Sequence, residues 1–194
     1  MFNEKSSVKT LAVENHGMKY RDGSENMNRS FIGEYVDTIH HSDGRVEVRE
    51  AQNCIVNDIG KLIACLLKGQ SGYSRLGYWA IGKGLDSWDN VNPPQAQPSD
   101  TGCVNEIGRK EIPSNSMVFL DSGNQVSSTP TNRIQITLTF TEDDCNGTWR
   151  EFAIFGGNAT TTRNSGIAIN HKNHGILIKT NTMVIERQIR FTFN

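Results

Sequence analysis

The histidine pair in the segment His171-Lys172-Asn173-His174 has the spacing closest to that of a metal site in this 194-residue chain. On a strand, residues three apart face opposite sides of the sheet, so the two imidazoles converge only where the segment turns. His40 and His41 are adjacent and meet the same obstacle. We therefore expect exposed loop histidines, no metal ligands and no bound cofactor.

Acidic and nucleophilic residues form no pattern that is typical of catalysis. Glu142, Asp143 and Asp144 lack the spacing of a calcium loop, and we expect them at a solvated hairpin tip. The sequence contains no Gly-x-Ser-x-Gly or Ser-x-x-Lys motif, which are signatures of serine nucleophiles. The glycines of Gly82-Lys83-Gly84 lack the sequence context of a phosphate-binding loop. These observations predict a protein that is not an enzyme and has no catalytic residues.

Arg150 and Glu151 form the most informative polar pair, because they open an otherwise apolar strand. Neighbours on a strand face opposite ways, so each side chain needs a partner of its own. Two interpretations stay open. Either the pair makes buried or interface ion pairs with another segment or subunit, or it marks a solvated strand end.

Residues 85–103 form a long excursion that carries three prolines and one tryptophan, Trp88. Loops of this length are often functional, and aromatic residues often anchor interfaces. We predict that this surface excursion contacts another subunit and that its tryptophan is an anchor. With the polar pair, the predicted interface comprises Trp88, Pro93, Pro94, Arg150 and Glu151.

The overall composition restricts the class of protein. The 20 Lys and Arg residues against 21 Asp and Glu leave a net charge of -1, whereas a nucleic-acid binder usually carries a basic face. No run approaches the ~20 apolar residues of a membrane span, and residues 1–30 lack the apolar stretch of a signal peptide. We expect synthesis in the cytoplasm, with neither nucleic acid nor membrane as a partner.

Apolar periodicity predicts one helix and many strands. Asn, Gly, Ser and Thr make up about a third of the chain, which favours strands and turns. Over residues 55–68 the apolar positions recur at helical spacing, and we expect this stripe to pack on a sheet. The stripe consists of Ile59, Leu62, Ile63 and Leu66.

Strand signals dominate the rest of the chain. Two extended runs flank Asp43-Gly44, a hairpin turn, and residues 133–141 alternate apolar and polar. The final strand does the same, interrupted only by Arg187. The predicted fold is mainly β: an antiparallel β-sandwich or sheet with one amphipathic helix, at about 55–68, packed on it. We expect residues 1–30 to form an N-terminal arm and residues 31–194 a single β-rich domain.

Seven segments between residues 50 and 194 follow one another in an order that is informative about the class of protein. They are NCIVNDIGKLIACLLKG, YWAIGKG, NPPQAQP, CVNEIGRKEI, RIQITLTFT, NGTWREFAIFGG and IERQIRFTFN. This order resembles phage tail proteins of the tail-fibre and baseplate-associated type, which also occur in phage-derived contractile systems. The chain departs from that pattern at Ala153, where glycine is usual, and in the longer loop before Cys103.

The resemblance implies a non-enzymatic virion structural protein, made in the host cytoplasm and located in the tail. Such a baseplate, tail-fibre base or neck component assembles with itself, as a symmetric homo-oligomer, and with other tail proteins. Two alternatives stay open: a head or capsid accessory protein, and a module at the tail tip that binds a receptor or a host-surface glycan. A glycan binder is expected to place Tyr73, Tyr78 and Trp88 together on an outer tip.

Overall fold

The computed structural model describes residues 31–194, which form one antiparallel ten-stranded sheet and one α-helix, so the predicted fold class is confirmed. The predicted N-terminal arm, residues 1–30, lies outside the described residues. Helix α1 (Ile59–Lys68) lies between β2 and β3. The strands are β1 (Phe31–His41), β2 (Val46–Ile55), β3 (Ser74–Gly82), β4 (Glu106–Glu111), β5 (Met117–Leu120), β6 (Val126–Ser127), β7 (Arg133–Phe140), β8 (Gly147–Gly157), β9 (Ile167–Lys179) and β10 (Met183–Phe193).

The sheet folds over on itself at β2. Its strand order is β4-β3-β8-β9-β2-β1-β10-β7-β5-β6, and β2 pairs with β9 only through Cys54 and Ile55. The two halves on either side of this short pairing face each other, since the rings of Tyr35 in β1 and Phe152 in β8 are 5.0 Å apart. We call them the β1 half and the β8 half. The result is a sandwich whose core lies between the halves.

The arginine that interrupts the apolar alternation of β10 belongs to this core. Arg187 lies directly opposite Asp37 of β1 and makes a bidentate ion pair with it, with Nη2 2.6 Å from Oδ2. Both side chains are buried. The guanidinium lies 4.5 Å from the ring centroid of Phe152 and 5.1 Å from that of Trp149, across the sandwich. The ion pair and the aromatic faces together compensate for the loss of water around the charge.

Helix α1 begins at Ile59, later than the predicted start at 55, because Ile55 is the last residue of β2 and pairs with β9. Ile59 and Leu62 are buried, and the helix contacts β8 and β9. Leu66, which we expected in the buried stripe, is 44% exposed, because the C-terminal part of the helix extends beyond the sheet. Gly69 then ends the helix in a left-handed conformation, with φ of 65°.

The contact between Leu62 and the sheet yields a testable prediction. A Cβ atom at Gly156 of β8 would lie 2.9 Å from Leu62 Cδ2, so the Leu62 side chain packs closely against the backbone of β8. Leu62→Asp buries an unpaired carboxylate at a cost of several kcal/mol, against about 5–15 kcal/mol of total stability. We expect this variant to lose its cooperative thermal transition. Leu67→Asp, at an 84% exposed position of the same helix, is expected to melt like the parent protein. Equal melting temperatures for the two variants would contradict the packing.

Candidate functional site

A buried carboxylate, that of Glu151, is the centre of a polar cluster on the outer face of the β8 half. Its Oε1 accepts hydrogen bonds from the backbone N–H groups of Gly84 at 3.0 Å and Asn105 at 2.8 Å. Its Oε2 accepts one from the N–H of Val104 at 2.8 Å. Gly82 lies opposite Glu151 in β3, and a Cβ atom there would lie 2.4 Å from Oε1. The missing side chain therefore makes room for the carboxylate.

An imidazole joins this carboxylate to a second one. His171 lies on the neighbouring strand β9, with Nε2 2.9 Å from Glu151 Oε2 and Nδ1 2.7 Å from Asp100 Oδ2. Burial opposes a charge on the imidazole, but the hydrogen bonds and charges of the two carboxylates outweigh it and raise the pKa of His171. Burial also opposes the charge on Glu151, yet His171 and the N–H donors hold the pKa of this carboxyl below its usual value. The cluster therefore pairs an imidazolium with an ionised Glu151.

The other member of the predicted pair, Arg150, binds carbonyl oxygens. Its Nη1 donates to the carbonyl of Leu85 at 2.9 Å, and its Nη2 donates to those of Asp89, at 2.9 Å, and Trp88. The guanidinium lies 6.0 Å from the centroid of the Trp88 ring. This ring occupies the space that a Cβ atom at Gly84 would need. Arg150 therefore fixes the turn that follows β3.

Residues 85–103, which we call the strap, are bound along the β8 half and do not project freely. The N–H of Ile176 in β9 donates to the carbonyl of Asn90 at 2.8 Å. Asn173 Nδ2 donates to the carbonyl of Pro94 at 2.9 Å. With Arg150 at its start and His171 near its end, the strap is attached to its own chain along its length. The predicted surface excursion is thus a surface segment, but one with a fixed path.

A small apolar cluster lies on the strap side of the β8 half. It is separate from the core between the two halves, and its members come from β3, β8, β9, the strap and the segment after β2. The buried members are Val56, Ala80, Cys103, Ala153, Phe155 and Ala168. The strap thus contributes to a packed interior as well as to a polar cluster.

A further buried ion pair holds the loop between β8 and β9. Arg109 Nε and Nη2 donate to the two carboxylate oxygens of Glu106, each at 2.7 Å, and both side chains are buried. Arg109 Nη1 donates to the carbonyls of Thr160 at 2.9 Å and Ser165 at 3.1 Å. The guanidinium lies 4.7 Å from the ring centroid of Phe155. In this cluster too, a charged pair from the sheet fixes a loop backbone.

The five residues of the predicted interface differ in burial: two are buried in β8, and three lie on the strap, where they are half-buried or exposed. Arg150 and Glu151 are buried and have separate partners, as the strand geometry predicts, so the solvated strand end is excluded. Their partners belong to the same chain. Trp88 and Pro93 are half-buried and Pro94 is exposed on the strap. Contact of these residues with another subunit stays a prediction.

The expectation of exposed loop histidines is wrong for His171 and His174, which lie in β9 and are buried. His40 and His41 also lie in a strand, β1, and only His40 is exposed. His174 lies near Phe152, and burial lowers its pKa to about 3.

His171 could not be identified from the sequence because its two acidic partners, Glu151 and Asp100, lie in distant segments. Among residues 31–194 no group of three or more His, Cys, Asp or Glu is arranged to hold a metal ion.

Comparisons with protein-family models, with curated proteins and with solved structures find no match to this chain. The part of the chain that the structure describes contains no helix long and apolar enough to cross a membrane.

The charge on Glu151 can be tested by removing it. Glu151→Gln leaves the imidazolium of His171 without its buried counter-charge and sets an amide NH₂ against backbone N–H donors. We expect the free energy of unfolding in urea to fall by about 3–5 kcal/mol. We also expect proteases to cleave the strap faster. Glu142→Gln, at an exposed turn, is the control and is expected to change neither. Unchanged stability of Glu151→Gln would contradict the role of this carboxylate in holding the strap.

The raised pKa of His171 predicts how stability depends on pH. Below its ordinary value of 6.5, both folded and unfolded chains carry the proton and the contribution is complete. As the pH rises towards the folded-state pKa, only the unfolded chain releases the proton, so the contribution is lost. We expect the free energy of unfolding in urea to decline as the pH rises above 6.5, and this decline to be weaker in His171→Gln but retained in His40→Gln, a control at an exposed histidine. Equal slopes in all three proteins would contradict the assignment.

Proposed function

We propose that this chain is a non-enzymatic structural protein of the phage-tail type. It is a baseplate, tail-fibre base or neck component that assembles with itself and with other tail proteins. The observation that carries the proposal is the convergence on Glu151 of separate segments that carry the resemblance.

Three of the seven segments supply Glu151 and its backbone donors, and a fourth lies in the strap between those donors. Gly82 and Gly84 come from YWAIGKG, the prolines of NPPQAQP lie in the strap, the donors Val104 and Asn105 come from CVNEIGRKEI, and Glu151 comes from NGTWREFAIFGG. Segments that are separate in the sequence therefore act together in the fold, where they bind the carboxylate of Glu151.

The chemistry of the cluster favours a structural role. Glu151 is fully buried and accepts four hydrogen bonds, from three backbone N–H groups and His171. A catalytic acid or base must reach the proton of a substrate. Arg150 and Arg109 likewise bind backbone carbonyls of their own chain. These charges fix loops in place, which is what a preformed assembly surface requires.

The surface supports protein contacts. Val91 on the strap is 74% exposed, and Val46 and Val48 on β2 are 54% and 59% exposed. Because the strap is held by its own chain, it presents its exposed residues in one arrangement before any partner binds. Preformed surfaces lose less entropy on association.

The glycan-binding alternative is less well supported. Tyr73 lies just before β3, and Tyr78 lies within β3 beside Arg109. Trp88 packs on Gly84, which lies just after the C-terminal end of β3. A nine-residue strand spans about 30 Å. The three aromatic side chains that were expected to form one platform are thus distributed along the strand.

Fractionation of particles tests the proposal. Particles released from cells that carry the gene are separated on a density gradient and immunoblotted with an antibody against the recombinant chain. We expect the chain to sediment with the particles and to remain bound after washing in salt at about 1 M, which screens loose ionic contacts. A host cytoplasmic enzyme serves as the control. Recovery of the chain only among soluble proteins would contradict the proposal.

A further inference from the structure

The strand β2 has an open edge. It pairs with β1 over most of its length, but on its other side only Cys54 and Ile55 pair with β9. Among residues 31–194, no strand pairs with residues 46–52 on that side. An open edge presents unpaired N–H and C=O groups that another strand can bind.

The hydrogen-bond pattern of the hairpin identifies which backbone groups point outward. The N–H of His41 donates to the carbonyl of Arg45, so these two residues form a hydrogen-bonded pair. Pairs alternate along an antiparallel ladder, so the even-numbered residues of β2 direct their N–H and C=O groups away from β1. Val56 follows the same parity, since its N–H donates to Ile169 in the β8 half. Outward groups at residues 46, 48 and 50 are therefore available to another strand.

The side chains of this edge are complementary to themselves. Val46 and Val48 are exposed on the outer face of the β1 half. Glu47 and Arg49 lie on the opposite face and are each about one third exposed, with Arg49 Nε 2.6 Å from Glu47 Oε1. A second copy of β2 running antiparallel, with Val48 opposite Val48, places Glu47 opposite Arg49 of the second copy and the reverse.

Neighbouring registers lack this complementarity. A shift that sets Glu47 opposite Glu47 of the second copy places two carboxylates against each other and also brings Arg45 opposite Arg49. A shift the other way sets Arg49 opposite itself. Like charges directly opposite each other on a sheet are destabilising, whereas opposite charges are favourable. Of these three registers, charge therefore favours the one centred on Val48, in which residues 46, 48 and 50 form the hydrogen-bonded pairs.

We propose that two copies of this chain associate through their β2 edges, with Val48 on the two-fold axis, so that the two sheets become continuous. Glu47 of each copy pairs with Arg49 of the other on one face; on the other face Val48 meets Val48, and Val46 lies opposite Glu50. The contact is isologous, as a two-fold dimer requires. This inference rests on the proposed self-assembly and names the surface that carries it.

Charge reversal tests the contact in the full-length chain by sedimentation velocity over a range of concentrations. In Glu47→Arg the introduced arginine faces Arg49 of the second copy, and we expect dimerisation to weaken about tenfold or more. The double variant Glu47→Arg with Arg49→Glu restores opposite charges and is expected to recover the dimer. Glu34→Arg, an exposed reversal on β1, is the matched control and is expected to leave it intact. Thermal melts of each variant establish that it is folded.

Disulfide trapping tests the register. Glu47 and Arg49 of opposite copies form a non-hydrogen-bonded pair with Cα atoms about 4.5 Å apart, within the range of a disulfide. We expect Glu47→Cys mixed with Arg49→Cys to cross-link under mild oxidation, and neither variant to cross-link alone. The parent chain, with its four free cysteines, is the control. Cross-linking of either variant alone would contradict the register.

Three results would overturn the proposal. The first is a monomer at all concentrations, and the second is a dimer that is indifferent to the charge reversals. The third is a monomer whose outward β2 amides are protected from hydrogen exchange, because its own chain would then cover the edge. A monomer that sediments with particles would refute this contact but not the proposed function. A β2-linked dimer that is absent from particles would refute the proposed function but not this contact.

Discussion

The arrangement of the outer face of the β8 half depends on the hydrogen bonds that the buried carboxylate of Glu151 accepts. An isolated charge without water costs several kcal/mol, so it persists only where hydrogen bonds replace the solvent. Its backbone donors come from both ends of the strap: Gly84 before it, and Val104 and Asn105 after it. One anion thus brings together chain positions separated by a long loop, and His171 adds Asp100 of the strap to the same cluster.

The same physical solution recurs in the other buried ion pairs. Arg187 and Asp37 join β10 to β1, and the guanidinium faces aromatic rings of the opposite half. Arg109 and Glu106 fix the loop between β8 and β9. Removing one partner of such a pair leaves an uncompensated buried charge, so each pair strongly disfavours other arrangements of the segments it joins. The stability of the sandwich and the path of its loops are therefore coupled through a few charged side chains.

This coupling bears on the proposed role in assembly. Loops that are fixed before association present a surface that loses little entropy when a partner binds. The strap has such a fixed path, whereas the open edge of β2 offers unpaired backbone groups and exposed valines. In the proposed dimer the edge extends the β1 half, which leaves the strap, on the β8 half, available for other contacts. The proposal thus assigns the two surfaces to different partners.

The sequence by itself determined the features that depend on neighbouring residues. Apolar alternation predicted the strands and the antiparallel class, Asp43-Gly44 the hairpin, and the opposite orientation of Arg150 and Glu151 their separate partners. Tertiary structure alone decided that Ile55 ends a strand, that Leu66 is exposed and that His171 is buried. The ion pair of Arg187 with Asp37 spans 150 positions of sequence, and that of His171 with Asp100 spans 71. Periodicity reports which face of an element is apolar, but it contains no information about which distant charge lies opposite a buried one. That choice depends on which segments lie side by side and in which register: β1 pairs with β10 in the first case, and the strap lies along β9 in the second.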